Sequence, residues 1–374
     1  MKQMVLVLVV LLWPAFVWAH KPSDSYLSLT IHDETIAARW DIALRDLDEA
    51  MGVDADDDGT ITWGEVRAKQ PEIGAYALSR LILTSEERTC RAQPSAYLID
   101  DHTDGAYAVL LFTAVCAGPI TRLHADYRLL FDVDAQHKGL LRLTHGQHTT
   151  TAIFSRESPT QQFTLGDHSI WAPIRQYLRE GIWHIWLGFD HVLFLLALLL
   201  PAVLTRSADR WQPSLQFSSA FWEVVRIVTA FTLAHTVTLS LATLGMVTLP
   251  SRLIESAIAV SVLVAGLSNL YPQLVGRRWV VAFLFGLIHG FGFASVLADL
   301  GLPSEALVLS LVSFNVGVEL GQLAIVAVFL PLAYRLRHTL AYQRVVVVSG
   351  SVTIAGLAFL WLLERAFNLK LFPT

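Results

Sequence analysis

Polar and apolar positions follow two rhythms along this chain. As far as about residue 165 the apolar residues come in short runs, and beyond residue 182 they come in long blocks. The runs Ser25–Ile31, Thr35–Ile42, Tyr107–Ala114, Tyr127–Val133 and Gly139–Leu143 are β-rich and bounded by turn residues. That spacing predicts an antiparallel β-sandwich over residues 20–165, interrupted by a helical insertion from about Arg45 to Ser79. The blocks cover about 183–203, 222–246, 253–271, 279–299, 306–333 and 345–366. Each is near the roughly 20 residues that cross a bilayer as a helix, so residues 182–367 predict a six-helix transmembrane domain. Between the two regions, residues 166–181 hold Trp171–Glu180, which has the pattern of an amphipathic linker helix lying at the membrane interface. At the start of the chain, Lys2, the apolar run Met4–Leu12 and the small-residue end Val17-Trp18-Ala19 predict a signal peptide over residues 1–19.

Composition sharpens this division. Mean hydropathy is +0.50 and 54% of residues are hydrophobic, too apolar for an ordinary soluble protein. The net charge of −5 conceals a split: residues 1–180 hold 16 Lys/Arg against 24 Asp/Glu, and residues 181–374 hold 11 against 8. Neither half has the basic patch of a nucleic-acid-binding protein. Basic residues in the second half also set an orientation. Arg206, Arg210, Arg226, Arg277, Arg278, Arg335, Arg337 and Arg344 fall after spans one, three and five or at the adjoining helix ends. The remaining loops keep Arg252, Arg365 and Lys370. The positive-inside rule therefore predicts a bacterial cytoplasmic-membrane protein with both the N-terminal domain and the C-terminus outside the cytoplasm. Export agrees with the two cysteines, Cys90 and Cys116, which an oxidising compartment would allow to pair.

The sharpest motif of the N-terminal domain runs from Asp54 to Glu65 and fits a twelve-residue EF-hand loop. Asp54, Asp56 and Asp58 supply carboxylates at positions 1, 3 and 5. Gly59 allows the sharp turn, Thr60 offers its carbonyl and Glu65 stands at position 12. Weak calcium binding, as a structural staple, is the expected role. Cleavage after Ala19 would leave His20 with a free amino group beside its imidazole, a pairing able to chelate copper. The plainer reading makes it a polar residue after the cleavage site. His124, His137, His145 and His148 read as surface residues rather than ligands.

Ionisable groups inside spans cost about 2.5–3.5 kcal/mol each at the helix centre, so those present are functional candidates. Span one carries His184, Asp190 and His191, span two His235, span four His289, and span five Asn315 and Glu319. Imidazoles with carboxylates suit zinc, nickel, copper or iron. On a straight helix His191 lies about 10 Å beyond His184, so the two read as ligands of successive sites. Asp190 is offset from their face and suits the orientation of a histidine. Gly188, Gly286, Gly290, Gly292, Gly317 and Gly321 would let helices approach closely.

At these residues the chain resembles the HupE/UreJ family of bacterial membrane proteins, regarded as permeases for nickel or related transition metals. The family's first-helix pattern, a histidine, five residues and Asp-His, is matched by His184, Asp190 and His191. The second pattern is matched loosely by Ile288-His289-Gly290. Phe293 stands where that pattern has a second histidine, and Val296 where it has a glutamate, with Glu319 and His235 as candidate substitutes. The resemblance spans about residues 180–366 and implies a permease in which His184 admits the metal and Asp190, His191, His235, His289 and Glu319 form the central site. Nickel, zinc, cobalt or copper would be the cargo. An intramembrane metallohydrolase acting on a lipid or peptide is the alternative, with Asp190 or Glu319 as general base. A third reading makes the N-terminal domain a partner-binding or metal-capturing module and the bundle its anchor. The expected partners are the metal-ion substrate and the lipid bilayer, and the residues name no particular protein partner.

Overall fold

In the N-terminal domain, alternation along each strand sorts side chains into a buried and an exposed set. Trp40, fully buried, marks the centre of the buried set. The computed structural model describes residues 23–102, 105–146, 148–166, 171–207, 210–271, 277–292 and 304–367. In this domain the elements are β1 (Asp24–His32), β2 (Thr35–Ala43), α1 (Leu44–Met51), α2 (Trp63–Ser79), β3 (Leu81–Ser85) and β4 (Arg88–Thr89). They continue with β5 (Arg91–His102), β6 (Gly105–Val115), β7 (Arg122–Tyr127), β8 (Lys138–His145), β9 (His148–Phe154) and β10 (Thr160–Thr164).

Two sheets enclose one core. The larger has the order β5-β6-β2-β1-β8-β9 and the smaller β10-β7-β3-β4. Leu27, Leu29 and Ile31 on β1, Ile36, Trp40 and Ile42 on β2, and Leu110 and Phe112 on β6 face Leu81, Leu83, Leu123 and Tyr127 of the other sheet within that core. The rings of Trp40 and Tyr127 lie 5.5 Å apart across it. Among the described strands β1 and β8 pair in parallel, a departure from the expected all-antiparallel arrangement. The helical insertion is present as α1 and α2.

One expected strand is a turn. Tyr127–Val133 stays in β7 only at Tyr127, after which the backbone curls back, with Val133 and Asp134 N–H both bonding the Leu130 carbonyl. Leu130 takes φ of 58°, and Leu129, Leu130 and Phe131 are all buried. Three consecutive buried residues cannot belong to one face of a strand. A second reading changes at His137, expected at the surface and found fully buried. Its Nε2 meets the Tyr127 hydroxyl at 2.8 Å, its Nδ1 meets the Ser23 hydroxyl, and Tyr127 in turn meets Ser25 at 2.5 Å. These partners satisfy a neutral imidazole in an apolar core. His124, His145 and His148 are exposed as expected. Cys90 and Cys116 are bonded, tying the end of β6 to the segment that leaves β4.

The C-terminal part is helical: α3 (Trp171–Leu187), α4 (Phe189–Leu199), α5 (Phe217–Thr243), α6 (Ser251–Leu270), α7 (Arg278–His289), α8 (Ser304–Leu336) and α9 (Val347–Phe367). A hairpin, β11 (Leu204–Ser207) with β12 (Arg210–Pro213), joins α4 to α5, and a π-helical turn, Ala341–Val346, leads into α9. Among the described residues four helices are long and apolar enough to cross a membrane, and five if α3 and α4 count as one bent span. The fourth expected span, 279–299, is described as the 12 residues of α7, and its part from residue 293 lies outside the described residues. The first expected span is not continuous. The linker helix runs on as α3 to Leu187, and the chain then turns by 69° into α4.

Leu195, Leu198 and Leu199 of α4, Val224, Ile227 and Val228 of α5, Val262 of α6, Phe329 and Leu330 of α8, and Ile354 and Ala358 of α9 share one apolar core. Gly181 of α3 and Gly317 of α8 meet at a crossing so close that a Cβ on either would overlap the other helix's backbone. Asn269 fastens three helices, donating to the Ala197 carbonyl at 2.8 Å and to the Ser351 hydroxyl at 3.1 Å.

Burial pushes His137 down to about 3. Unfolding at a pH below about 6.5 lets this imidazole take up a proton that the folded domain refuses. Its contribution is therefore complete above pH 6.5 and is lost as pH falls towards 3, at up to about 1.4 kcal/mol per pH unit. Denaturant melts of the purified chain between pH 7 and pH 4 should show this slope, and His137→Gln should flatten it.

Candidate metal centre

Three imidazoles meet inside the bundle. His184 lies in the last turn of α3, His191 in the first turn of α4 and His235 on α5. One ring nitrogen from each lies within 4.8 Å of the others. The ring centroids of His184 and His191 are 4.6 Å apart, with His235 6.3 Å from the first and 6.4 Å from the second. His289, at the end of α7, stands 4.9 Å from His191 but outside the group of three. Phe314 packs beside His184, and Phe231 and Phe194 beside His289, all three buried. Aromatic rings thus wall much of the centre, with the Asp190 carboxylate beside His191.

The break at Gly188 makes this possible. On one straight helix His184 and His191 would be separated by about 10 Å along the axis, as successive ligands. The 69° turn folds them onto one centre instead. A Cβ at position 188 would lie 2.5 Å from the His184 carbonyl oxygen and 2.9 Å from His191 Nδ1, so glycine alone fits. The new helix start is capped from within, because Asp190 Oδ1 accepts the His191 backbone N–H at 2.8 Å.

Neighbouring side chains assign the tautomers. Asp190 Oδ1 also sits 2.8 Å from His191 Nδ1, and an ionised carboxylate only accepts, so Nδ1 carries the hydrogen. Asn315 donates through Nδ2 to the Leu311 carbonyl at 2.8 Å, which turns its oxygen towards His235 Nδ1 at 3.1 Å. Ser261 donates to the Ile258 carbonyl at 2.6 Å and so accepts from His289 Nε2 at 2.9 Å. The other nitrogens, Nε2 of His191, Nε2 of His235 and Nδ1 of His289, are buried without a hydrogen-bond partner. Each of these rings is therefore held from behind by an oxygen with its other nitrogen open, the arrangement that fixes histidine ligands at metal sites.

The structure separates the other expected ligands. Asp190 stands behind His191. Glu319 lies one turn beyond Asn315 on α8, where its Oε1 accepts from the Thr229 hydroxyl at 2.9 Å, and it is not among the three grouped ligands. Phe293, Val296 and His20 lie outside the described residues. Ser261 and Thr229 went unread in the sequence, because lone hydroxyls are common in spans and carry no distinguishing pattern. Asn315 is visible there as a polar residue, but its pairing with His235 is not.

In the N-terminal domain, one carboxylate oxygen from each of Asp54, Asp56 and Asp58 lies within 4.8 Å of the others. Gly59 takes φ of 82° and its N–H bonds Asp54 Oδ2 at 2.8 Å, and Thr60 N–H bonds Asp58 Oδ1 at 2.7 Å. Glu65 lies in the first turn of α2 and accepts from the N–H groups of Thr62 and Ala55, each at 2.8 Å. Hydrogen bonds from Thr62, then from Ala55, hold the Glu65 carboxyl down at about 2, whereas the charge of Asp58 pushes Asp56 up.

A family model described as HupE / UreJ protein matches residues 160–365, more than half of the chain and every helix bearing these histidines. The chain belongs to the HupE / UreJ family. That family is associated with nickel and cobalt transport. The match begins at residue 160, so most of the β-rich domain lies outside the shared part of this HupE / UreJ member. No curated protein matches the chain.

Replacing Asn315 with Leu strands the buried His235 Nδ1–H, at a cost of about 1–3 kcal/mol. The detergent-purified variant should melt at lower temperature than wild type, while Val316→Leu, at an exposed position of α8, should not.

Proposed function

We propose that this protein moves a divalent transition metal, nickel or cobalt, across the bilayer through the centre formed by His184, His191 and His235, with His289 as the adjoining ligand. The observation that carries the reading is a set of three imidazole nitrogens within 4.8 Å of one another inside apolar helices, with His191 and His235 buried and His184 half-buried. Nitrogen ligands of this kind suit late first-row divalent ions and not calcium or magnesium. The family association with nickel and cobalt transport points the same way.

The hydrolase alternative needs a carboxylate beside a metal-bound water. Asp190 is committed to the ring and the N–H of His191, and Glu319 is held by Thr229. With both acids engaged elsewhere, transport accounts better for the arrangement. Eight of the eleven basic residues in the second half fall in the loops and helix ends assigned to the cytoplasm, which supports an extracytoplasmic N-terminal domain and an inner-membrane location.

For that domain we propose calcium at Asp54, Asp56, Asp58, the Thr60 carbonyl and Glu65, with a dissociation constant of about 10⁻⁴–10⁻³ M, as in other extracellular modules. Calcium at ten times that constant adds about 1.4 kcal/mol of stability.

Elemental analysis of the detergent-purified protein after incubation with nickel or cobalt tests both proposals. Wild type and Asp54→Ala should retain the transition metal and His191→Ala should lose it. Millimolar calcium should raise the melting temperature of wild type and of His191→Ala but not of Asp54→Ala. Transition metal retained unchanged by His191→Ala would exclude this centre.

A further inference from the structure

Beyond the histidines, α5 and α8 carry a second set of facing polar groups. Thr229 donates its hydroxyl to Glu319 Oε1 at 2.9 Å, and Thr232 donates to Gln322 Oε1 at 3.4 Å. Thr232 and Gln322 are buried, and Thr229 and Glu319 half-buried. Measured along the helices from His235 and Asn315, these groups begin about 4–6 Å away and end about 9–10 Å away. They continue the line that starts at the His235–Asn315 pair.

The line has a direction. On α5 about 27 Å of helix lie between Phe217 and His235, but only about 12 Å between His235 and Thr243. The threonines lie on the Phe217 side of His235, and Glu319 and Gln322 lie on the Leu336 side of Asn315. Those two helix ends are joined: the Tyr334 hydroxyl donates to the Leu215 carbonyl at 3.0 Å, and Arg337 Nε to the Ser214 carbonyl at 2.8 Å. Arg335, Arg337 and Arg226 cluster towards this end, which the charge rule assigns to the cytoplasm. The second set thus lies between the histidines and the cytoplasmic end.

Its chemistry also differs. The histidine centre offers imidazole nitrogens, and the second set offers a carboxylate, an amide oxygen and hydroxyls. Oxygen donors hold late transition metals less tightly than imidazole, and an acid inside a span is costly enough to need a role. Helix fastening alone would call for a neutral pair.

We propose that Glu319, Thr229, Gln322 and Thr232 form a second cation station, made of oxygen ligands, which takes the metal from the histidines and releases it towards the cytoplasm. The proposal rests on the transport reading. Capture by nitrogen and release from oxygen gives the ion a falling affinity along its path, so that tight selection does not trap it.

Cobalt(II) is the probe, with the full chain in proteoliposomes for flux and in detergent for retained metal. Wild type should retain cobalt and transport it. Glu319→Gln should still retain cobalt, with an unchanged visible spectrum from the imidazole-bound ion, but should transport it at least tenfold more slowly. Glu319→Asp should recover part of the rate. A wild-type rate in Glu319→Gln overturns the station and leaves the histidine centre standing. So does loss of retained cobalt from a Glu319→Gln protein with a wild-type melting curve, which would make Glu319 part of the first centre. If Glu319→Gln does not fold, Thr229→Val decides: slowed flux with retained cobalt supports the station, and wild-type flux overturns it. Absence of cobalt flux in wild type overturns the transport reading and the station together.

Discussion

A seven-residue spacing on a straight helix holds two imidazoles about 10 Å apart along the axis, too far to share one ion. The chain meets this constraint by breaking its first apolar segment at Gly188, and the 69° bend brings His184 and His191 to 4.6 Å. A side chain at 188 would collide with the His184 carbonyl and the His191 ring. The same break creates a helix start, and Asp190 serves it twice, capping the His191 N–H and fixing its ring. His235 and His289 then need only ordinary helix packing to reach the centre, because α5 and α7 run close together past it.

Hydrogen bonding behind each ring complements the bend. A buried imidazole has two nitrogens to satisfy, and at His191, His235 and His289 the protein satisfies one and leaves the other without a hydrogen-bond partner. Asp190, Asn315 and Ser261 come from three different helices, yet each plays the same part. Histidines serving only to fasten helices would have both nitrogens engaged, as His137 does in the core of the N-terminal domain. The contrast between His137 and His191 within one chain is that between a core histidine with both nitrogens satisfied and one whose Nε2 is left without a partner.

Much of this was legible in the sequence, and the failures have physical causes. Long apolar blocks marked the bundle, and their rare acids and imidazoles marked the residues of the candidate centre directly. The bend was hidden, since one glycine in an apolar helix reads as a packing residue until the space around it is known. Glu319 reads as a ligand of the histidine centre because depth alone was available to place it, and helix rotation directs it to Thr229 instead. In the N-terminal domain β1, β2, β6 and β8 showed their alternation because they lie inside the larger sheet with a fully buried face. The strands β4, β5 and β10 lie at sheet edges and have few buried positions, and β5 also carries Pro94 at a shift of register. The edge strand β9 buries only its second half, Thr151–Phe154, without alternation. Tyr127–Val133 reads as a strand because a turn that buries a run of apolar residues, here Leu129–Phe131, has the composition of a strand.

The central claim is that His184, His191 and His235 hold one ion together. X-ray absorption of the nickel-loaded, detergent-purified protein measures this directly, since imidazole ligands leave a scattering signature that water and carboxylate do not. The account predicts a shell containing at least three imidazoles, with one fewer in His184→Ala. A shell of oxygen ligands alone, or one unchanged by His184→Ala, would contradict it.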